Sequence, residues 1–300
     1  MAAPQLTRPQ GTGNGKSAPA GLLTIYWRRY RRNKMAVAGL AFVLFFLVVA
    51  LLAPWIAPYH YDAQNLDNSF APHFSPGHIF GTDDLGRDQL SRIIYGVRTA
   101  AVVGLLAQFF SLLIGAAIGA VSGMRGGMVD AALMRTVDMF GSFPAFLLNV
   151  ILATTFGPSL ATIVFALSIT GWTGYARLVR GQVLALKNQE YVHAARTLGA
   201  GESHIIRHYV LPNILGPVAV ALSFGIPWSM MQEAALSLIG VGIRPPAPSW
   251  GNLISTGIGK MRGFPHLAIW PTAFFSLTLM AFTFVGDGLQ EIFNAKGDRQ

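Results

Sequence analysis

Cysteine is absent from the 300 residues. Its absence removes disulfides and thiolate metal sites, and with them any reading of the redox compartment. Charge is the second scarcity. Only 12% of residues are Asp, Glu, Lys or Arg, about half the share of a soluble globular chain. Hydrophobic residues make up 52% and the mean hydropathy is +0.47, so the chain belongs in a bilayer. Acidic residues are the scarcer sign, 13 against 22 basic, for a net charge of +9. In a membrane chain the location of the positive residues matters more than their sum, and no nucleic-acid partner is needed to explain them. No cleavable signal peptide is expected: the first apolar run starts only at Met35, is long enough to span, and has no clear small-residue cleavage site after it. A complete phosphate loop is lacking as well. GTGNGKSA, Gly11 to Ala18, ends in G-K-S, but the pattern G-x-x-x-x-G-K-[ST] needs glycine where Gln10 stands. The preceding MAAPQLTRPQ has no strand character to place such a loop. Residues 1–20 read as a disordered Gly/Pro/Ser-rich tail.

Long uncharged runs are what the chain has instead. A crossing helix needs about 20 apolar residues. Met35 to Ala53 is the first such run and ends at Pro54. A second lies between Arg98 and Arg125. The third and fourth share the uncharged region between Asp138 and Arg177, split by the turn signal Gly157-Pro158-Ser159. The fifth covers about 214–239 and the sixth about 267–285. The expected fold class is therefore all-α integral membrane, with six transmembrane helices and both termini on one side. Arg28, Arg29, Arg31, Arg32 and Lys34 precede the first span, and 16 of the 22 Lys and Arg fall in segments on that side. The positive-inside rule makes it cytoplasmic. Leu22, Ile25, Tyr26 and Tyr30 share one face at helical spacing, which suits an interfacial N-terminal helix or a plain juxtamembrane basic cluster. Gly115, Gly119 and Gly123 form two overlapping G-x-x-x-G steps in the second span, a smooth face for close helix packing.

Between spans four and five lies a long segment, about 180–212, that reads EYVHAARTLGAGESHIIRHYVLPN from Glu190 to Asn213. The spacing predicts a helix up to Leu198, a break at Gly199 and Gly201, and a second short helix from Glu202 to Tyr209 before Pro212. Small residues at Ala194, Ala195 and Gly199 would let a partner surface come close to the backbone. About 35 residues is long for a plain connector.

The pattern Ala194-Ala195-x-x-x-Gly199, closed by Leu211-Pro212, resembles the "EAA" loop of membrane subunits of ATP-binding-cassette (ABC) importers. His193 stands where that family usually has Glu, and Tyr209 where Ile is usual. Three further stretches are similar to signatures of the dipeptide/oligopeptide/nickel permeases, C-type subunit: HIFGTDDLGRDQLSRIIYGVR (His78 to Arg98), LSLIGVGIRPPAPSWGNLIS (Leu236 to Ser255) and AFTFVGDGLQEIFN (Ala281 to Asn294). The resemblance covers about residues 25–297. It implies a type I ABC importer permease fold in the bacterial cytoplasmic (plasma) membrane. It also implies residues 21–94 as interfacial helix, first span and extracytoplasmic loop, residues 95–290 as the transmembrane transport domain, and 291–300 as a tail. Implied partners are a second homologous permease in a heterodimer, two ATP-binding subunits and an extracytoplasmic substrate-binding protein. The implied cargo is a peptide, with nickel or oligosaccharide on the same fold as the alternative. His193, Ala194, Ala195, Gly199, Leu211 and Pro212 would couple to the ATPases. ATP and Mg would sit on those subunits, with no cofactor and no catalytic residue in this chain.

Ionisable residues at membrane depth are costly and often functional. Asp138 lies three residues from Arg135, one helical turn, so a structural ion pair is expected. Glu233, near the outer end of span five, either lines the pathway and meets a peptide amino group or faces the headgroups. Asn149 and Ser229, with Ser168 and Thr170, either line a polar pathway or bond between helices. Asp287 reads as a turn or helix-end residue. Asp83, Asp84 and Asp88 cluster with Arg87 and lack a full EF-hand pattern, so internal pairing or binding-protein contact is expected. His204 and His208 at i, i+4 lack the Glu of H-E-x-x-H, and no metal is expected. An intramembrane enzyme is disfavoured: Leu160 stands where a rhomboid-type motif needs glycine, and Phe284 breaks the aspartyl-protease pattern. A channel or secondary transporter would not need the exposed loop.

Overall fold

The computed structural model describes residues 22–294. The tail with GTGNGKSA and the last residues of the C-terminal segment lie outside them. Among the described residues there are eleven α-helices and no strand. Helix α1 (Leu22–Tyr30) carries Arg28 and Arg29 in its last turn. Asn33 caps α2 (Lys34–Ile56), accepting from the Ala36 amide. Tyr30 is buried, and its hydroxyl donates to the Ala36 carbonyl at 3.0 Å, so the short first helix is tied to the start of the first span.

The second long helix, α3 (Gln89–Arg125), begins nine residues before the expected Arg98 boundary because the Asp88 side chain caps it, accepting from the Ser91 amide at 2.7 Å. Its 37 residues reach about 55 Å, well beyond a hydrocarbon core of about 30 Å, so one end projects from the membrane. The third span departs from expectation. Helices α4 (Gly127–Gly141) and α5 (Ala145–Phe156) are bent by 76°. The 12 residues of α5 reach only about 18 Å, too short to cross alone. The bend falls at Pro144, which has no N–H to give and holds Phe143 out of helical geometry. Gly157, at φ +81°, and the Ser159 cap then start α6 (Leu160–Lys187).

Helix α7 (Glu190–Thr197) and the single turn α8 (Glu202–Ile205) follow. The expected second short helix is not separate. A π turn over Ile206–Val210 joins α8 to α9 (Leu211–Leu238). Helix α10 (Trp250–Gly259), capped by Ser249, lies between the expected fifth and sixth spans. Helix α11 (His266–Asn294) runs straight through Asp287, which is therefore not at a helix end. Four helices are long and apolar enough to cross a membrane, or five with the bent pair. The expected six is consistent with α6 as the remaining crossing: its 28 residues reach about 42 Å, although Arg177, Arg180 and Lys187 make one half polar.

The three largest apolar clusters hold most of the bundle. One joins α2, α3, α10 and α11 around Phe46, Ile93 and Trp250. One joins α3, α5, α6 and α9 around Val103, Ile163 and Leu236. One joins α3, α6, α7 and α9 around Val183, Val192 and Val210. Two ends can thus be named: a basic end with Arg28 to Lys34, and an opposite cap end built from residues 57–88, α10 and the start of α11.

Candidate functional site

At the basic end, α7 lies on the bundle by its apolar face. Val192 is buried against Val179, Val183, Ile205 and Val210, and Ala195 is buried one turn further on. The expectation that Ala195 is exposed is therefore corrected: it packs inward, one turn from Val192. His193, Ala194 and Gly199 face outward. The helix stops in a Schellman motif, with the Gly199 amide on the Arg196 carbonyl at 2.9 Å and the Ala200 amide on the Ala195 carbonyl at 3.0 Å. Gly199 holds φ +86°, with open space where a Cβ would stand. This places Leu198 at the tip of the elbow, 88% exposed, a residue that sequence reasoning missed. Tyr191, in the first turn of α7, is exposed and packs on Tyr209. Leu211 and Pro212 are exposed on the first turn of α9. His204 and His208 stack with ring centres 4.1 Å apart, and His208 Nδ1 lies 3.1 Å from the His204 carbonyl. The result is a rigid elbow showing a large apolar tip, an aromatic ring and bare backbone, the composition of a protein contact.

The elbow is held by the helices beneath it. Gly115, Gly119 and Gly123 lie against α6, which runs parallel to α3. A Cβ at Gly119 would stand 3.0 Å from the Arg180 amide, and one at Gly123 would stand 2.7 Å from Val183 Cβ. Arg180 donates to both carboxylate oxygens of Asp130 at 2.6 and 2.7 Å, Ser122 also donates to Asp130, and Lys187 Nζ donates to the Gly123 carbonyl at 2.7 Å. The expected Arg135–Asp138 pair is not formed. Asp138 accepts from Arg177 of α6 at 3.2 Å, because α6 packs on α4 and brings a second guanidinium to the carboxylate.

The three candidate pathway residues are enclosed in the chain. Glu233 is 4% exposed and accepts from the Ser237 hydroxyl at 2.8 Å. Asn149 is fully buried and accepts from the Thr170 hydroxyl at 3.0 Å. Ser229 is buried and accepts from Gln108 Nε2 at 2.6 Å. As placed here none of them lines an open face, and Asn149 and Ser229 bond between helices. Gln108 also accepts from the Tyr175 hydroxyl at 2.5 Å. This node joins α3, α6 and α9. Its only sequence signal is a glutamine inside an uncharged run.

At the cap end the acidic cluster is internally partnered. Asp83 accepts from Arg87 Nε at 2.8 Å and from Arg92, and its Oδ1 from the Leu85 and Arg87 amides at 3.0 Å. Asp88 accepts from the Ser91 hydroxyl at 2.7 Å and meets His78 Nδ1 at 2.9 Å. Asp84 pairs with Lys260 at 2.7 Å. Burial pushes the Asp84 carboxyl up, but Lys260 outweighs it and holds it below the usual carboxylate range. Phe70 stacks on Phe264 at 4.0 Å, and Phe80 on Trp270 at 4.3 Å. The loop is thus a structured cap fastened to the α10–α11 turn.

A bundle of membrane-length helices, broken by one surface elbow, defines a multi-pass membrane protein. The comparisons agree on the class. Residues 115–298 match the family "Binding-protein-dependent transport system inner membrane component", and residues 21–76 match "N-terminal TM domain of oligopeptide transport permease C". The chain is 41% identical to the dipeptide transport system permease protein DppC of Bacillus subtilis, over 90% of this chain and 84% of that one. It is 41% identical to the oligopeptide transport system permease protein OppC of Haemophilus influenzae, over 90% and 87%. The fold is similar to a chain of the MetNI methionine ABC transporter in inward-facing conformations, with TM-score 0.56 and 19% identity over 68% of this chain and 95% of that one. This chain belongs to the family of inner-membrane components of binding-protein-dependent transport systems and is a permease subunit of an ABC importer.

Proposed function

We propose that the cargo is a peptide, and that the chain forms its path together with a second, homologous permease. Two ATPases drive the pair from the basic end, and an extracytoplasmic binding protein delivers cargo at the cap. Both termini are then cytoplasmic, and the chain uses ATP without binding it; ATP and Mg belong to the ATPases, and no catalytic residue is assigned here. The observation that carries this reading is the elbow. Leu198 is displayed at the tip of α7 while Val192 packs that helix into the bundle. A partner pulling or pushing on the tip moves α6 and α9 with it as a rigid body. The relatives named for dipeptide and oligopeptide transport favour peptide over nickel or oligosaccharide.

The test is mild-detergent purification of the tagged chain from its own cell, with identification of companions, ATP hydrolysis measurements and uptake of labelled dipeptide and tetrapeptide. A second permease, ATPases and peptide uptake are expected. Co-purification with ATPases but uptake of nickel alone would overturn the cargo. A chain that reproducibly purifies alone would overturn the partners.

A further inference from the structure

A lateral groove between α2 and α3 carries an unassigned site. Its volume is about 480 Å³, and Leu47 and Leu51 of α2 face Val102, Leu105 and Leu106 of α3 across it, with Arg98 at its mouth. Arg98 is exposed and makes no ion pair or side-chain hydrogen bond among the described residues. Every other feature of the groove is hydrocarbon.

The depth of Arg98 follows from its neighbours. The Tyr59 amide donates to the Ser91 hydroxyl at 3.0 Å, which levels the end of α2 with the first turn of α3. The Tyr61 and Tyr95 rings meet at 4.9 Å, and His60 approaches Tyr95 at 5.7 Å. Trp55, in the last turn of α2, is 78% exposed. Tryptophan and tyrosine collect at the headgroup level of a bilayer, so these rings mark that level at the cap end. Arg98 lies three residues below Tyr95, roughly 4.5 Å deeper. A guanidinium there reaches the phosphate plane, and its stem lies along apolar surface. Its planar fork matches a phosphodiester better than an ammonium does.

We propose that this groove is a binding site for an anionic phospholipid of the cap-end leaflet. One acyl chain lies along Leu47, Leu51, Leu105 and Leu106, and the phosphate is held by Arg98. Charge selects the ligand: the site offers one unpaired cation and no anion, so a headgroup with net negative charge is favoured over a zwitterionic one. The inference is independent of what the importer carries.

The test uses the assembled complex, purified in mild detergent and exchanged against mixed micelles of phosphatidylglycerol and phosphatidylcholine. Bound lipid is counted by native mass spectrometry. The wild-type complex should retain phosphatidylglycerol at least about fivefold over phosphatidylcholine, Arg98→Gln should reduce that preference to about twofold or less, and Arg98→Lys should fall between. A photo-cross-linking residue at Leu51, which is 74% exposed, should capture labelled phosphatidylglycerol, and unlabelled phosphatidylglycerol should compete. Equal retention of the two lipids by the wild type, or an Arg98→Gln complex with unchanged preference, overturns the proposal. So does capture of another protein chain from Leu51, which would make the groove a subunit contact. If Arg98→Gln fails to assemble, the wild-type preference and the Leu51 competition decide alone.

Discussion

Gln108 is the residue whose replacement tests the bundle most directly. It is 5% exposed in the middle of α3. Its amide donates to Ser229 on α9 at 2.6 Å, and its carbonyl accepts from Tyr175 on α6 at 2.5 Å. Gly225 leaves the space: a Cβ there would stand 2.7 Å from the Tyr175 hydroxyl. Gln108→Leu keeps most of the volume and removes both bonds. Hydrogen bonds between helices in a bilayer are worth about 0.6 kcal/mol on average and about 1.7 at most. Two of them set an expected loss of roughly 1 to 3 kcal/mol. Tyr175→Phe breaks one bond and should cost roughly 0.6 to 1.7 kcal/mol. On the Gln108→Leu background the Tyr175 hydroxyl already lacks its acceptor, so deleting it should cost nothing further or recover some stability. The assay is unfolding of the purified complex in mixed micelles of rising SDS fraction, followed by tryptophan fluorescence, for the four members of the cycle. A Gln108→Leu protein as stable as the wild type, or a cycle additive within about 0.5 kcal/mol, would refute the node.

Gly199→Arg should abolish peptide uptake and co-purification of the ATPases while the chain still inserts. Gly199→Asn, which tolerates the φ of +86°, should retain both, and equal loss in the two variants would reduce the effect to backbone strain. Gly115→Ala should lower stability by about 1 to 3 kcal/mol, because the new methyl meets the Trp172 carbonyl and Tyr175 Cβ. Gly181→Ala on α6 meets nothing within 4 Å and serves as the control in the same SDS titration. The Asp84–Lys260 pair gives the cap a pH dependence. The folded carboxyl lies below its unfolded value, so the pair's contribution is present above about pH 4 and is lost as pH falls through the depressed folded value. Melting curves of wild type and Asp84→Asn should therefore converge as the medium is acidified, and a gap that widens would contradict the pairing.

The parts legible in the sequence are those whose signal is local. An uncharged run names a span whatever it packs on, and Gly157-Pro158-Ser159 marks the break between two spans by its own residues. Glycine every fourth residue in α3 announced a close neighbour without saying which, and α6 answers to it. The errors have one physical source, contacts between elements distant in the chain. Arg135 is the local partner for Asp138, but Arg177 arrives from 39 residues away. Ala195 looked like an exposed small residue, but Val192 turns that face of α7 onto Val179 and Val183 and Ala195 is buried with it. Uncharged length made α5 look like a complete crossing, because hydropathy does not register the bend imposed at Pro144. Asn149 and Ser229 stayed open between a pathway and a helix bond for the reason that Gln108 was overlooked: a polar side chain in a span must bond to something, and sequence alone does not say whether that partner is cargo or another helix. The structure gives each of them a helix partner within the chain. The polar residues of the spans therefore hold α3, α5, α6 and α9 as one body, which is what an elbow needs beneath it to pass motion from one end of the bundle to the other.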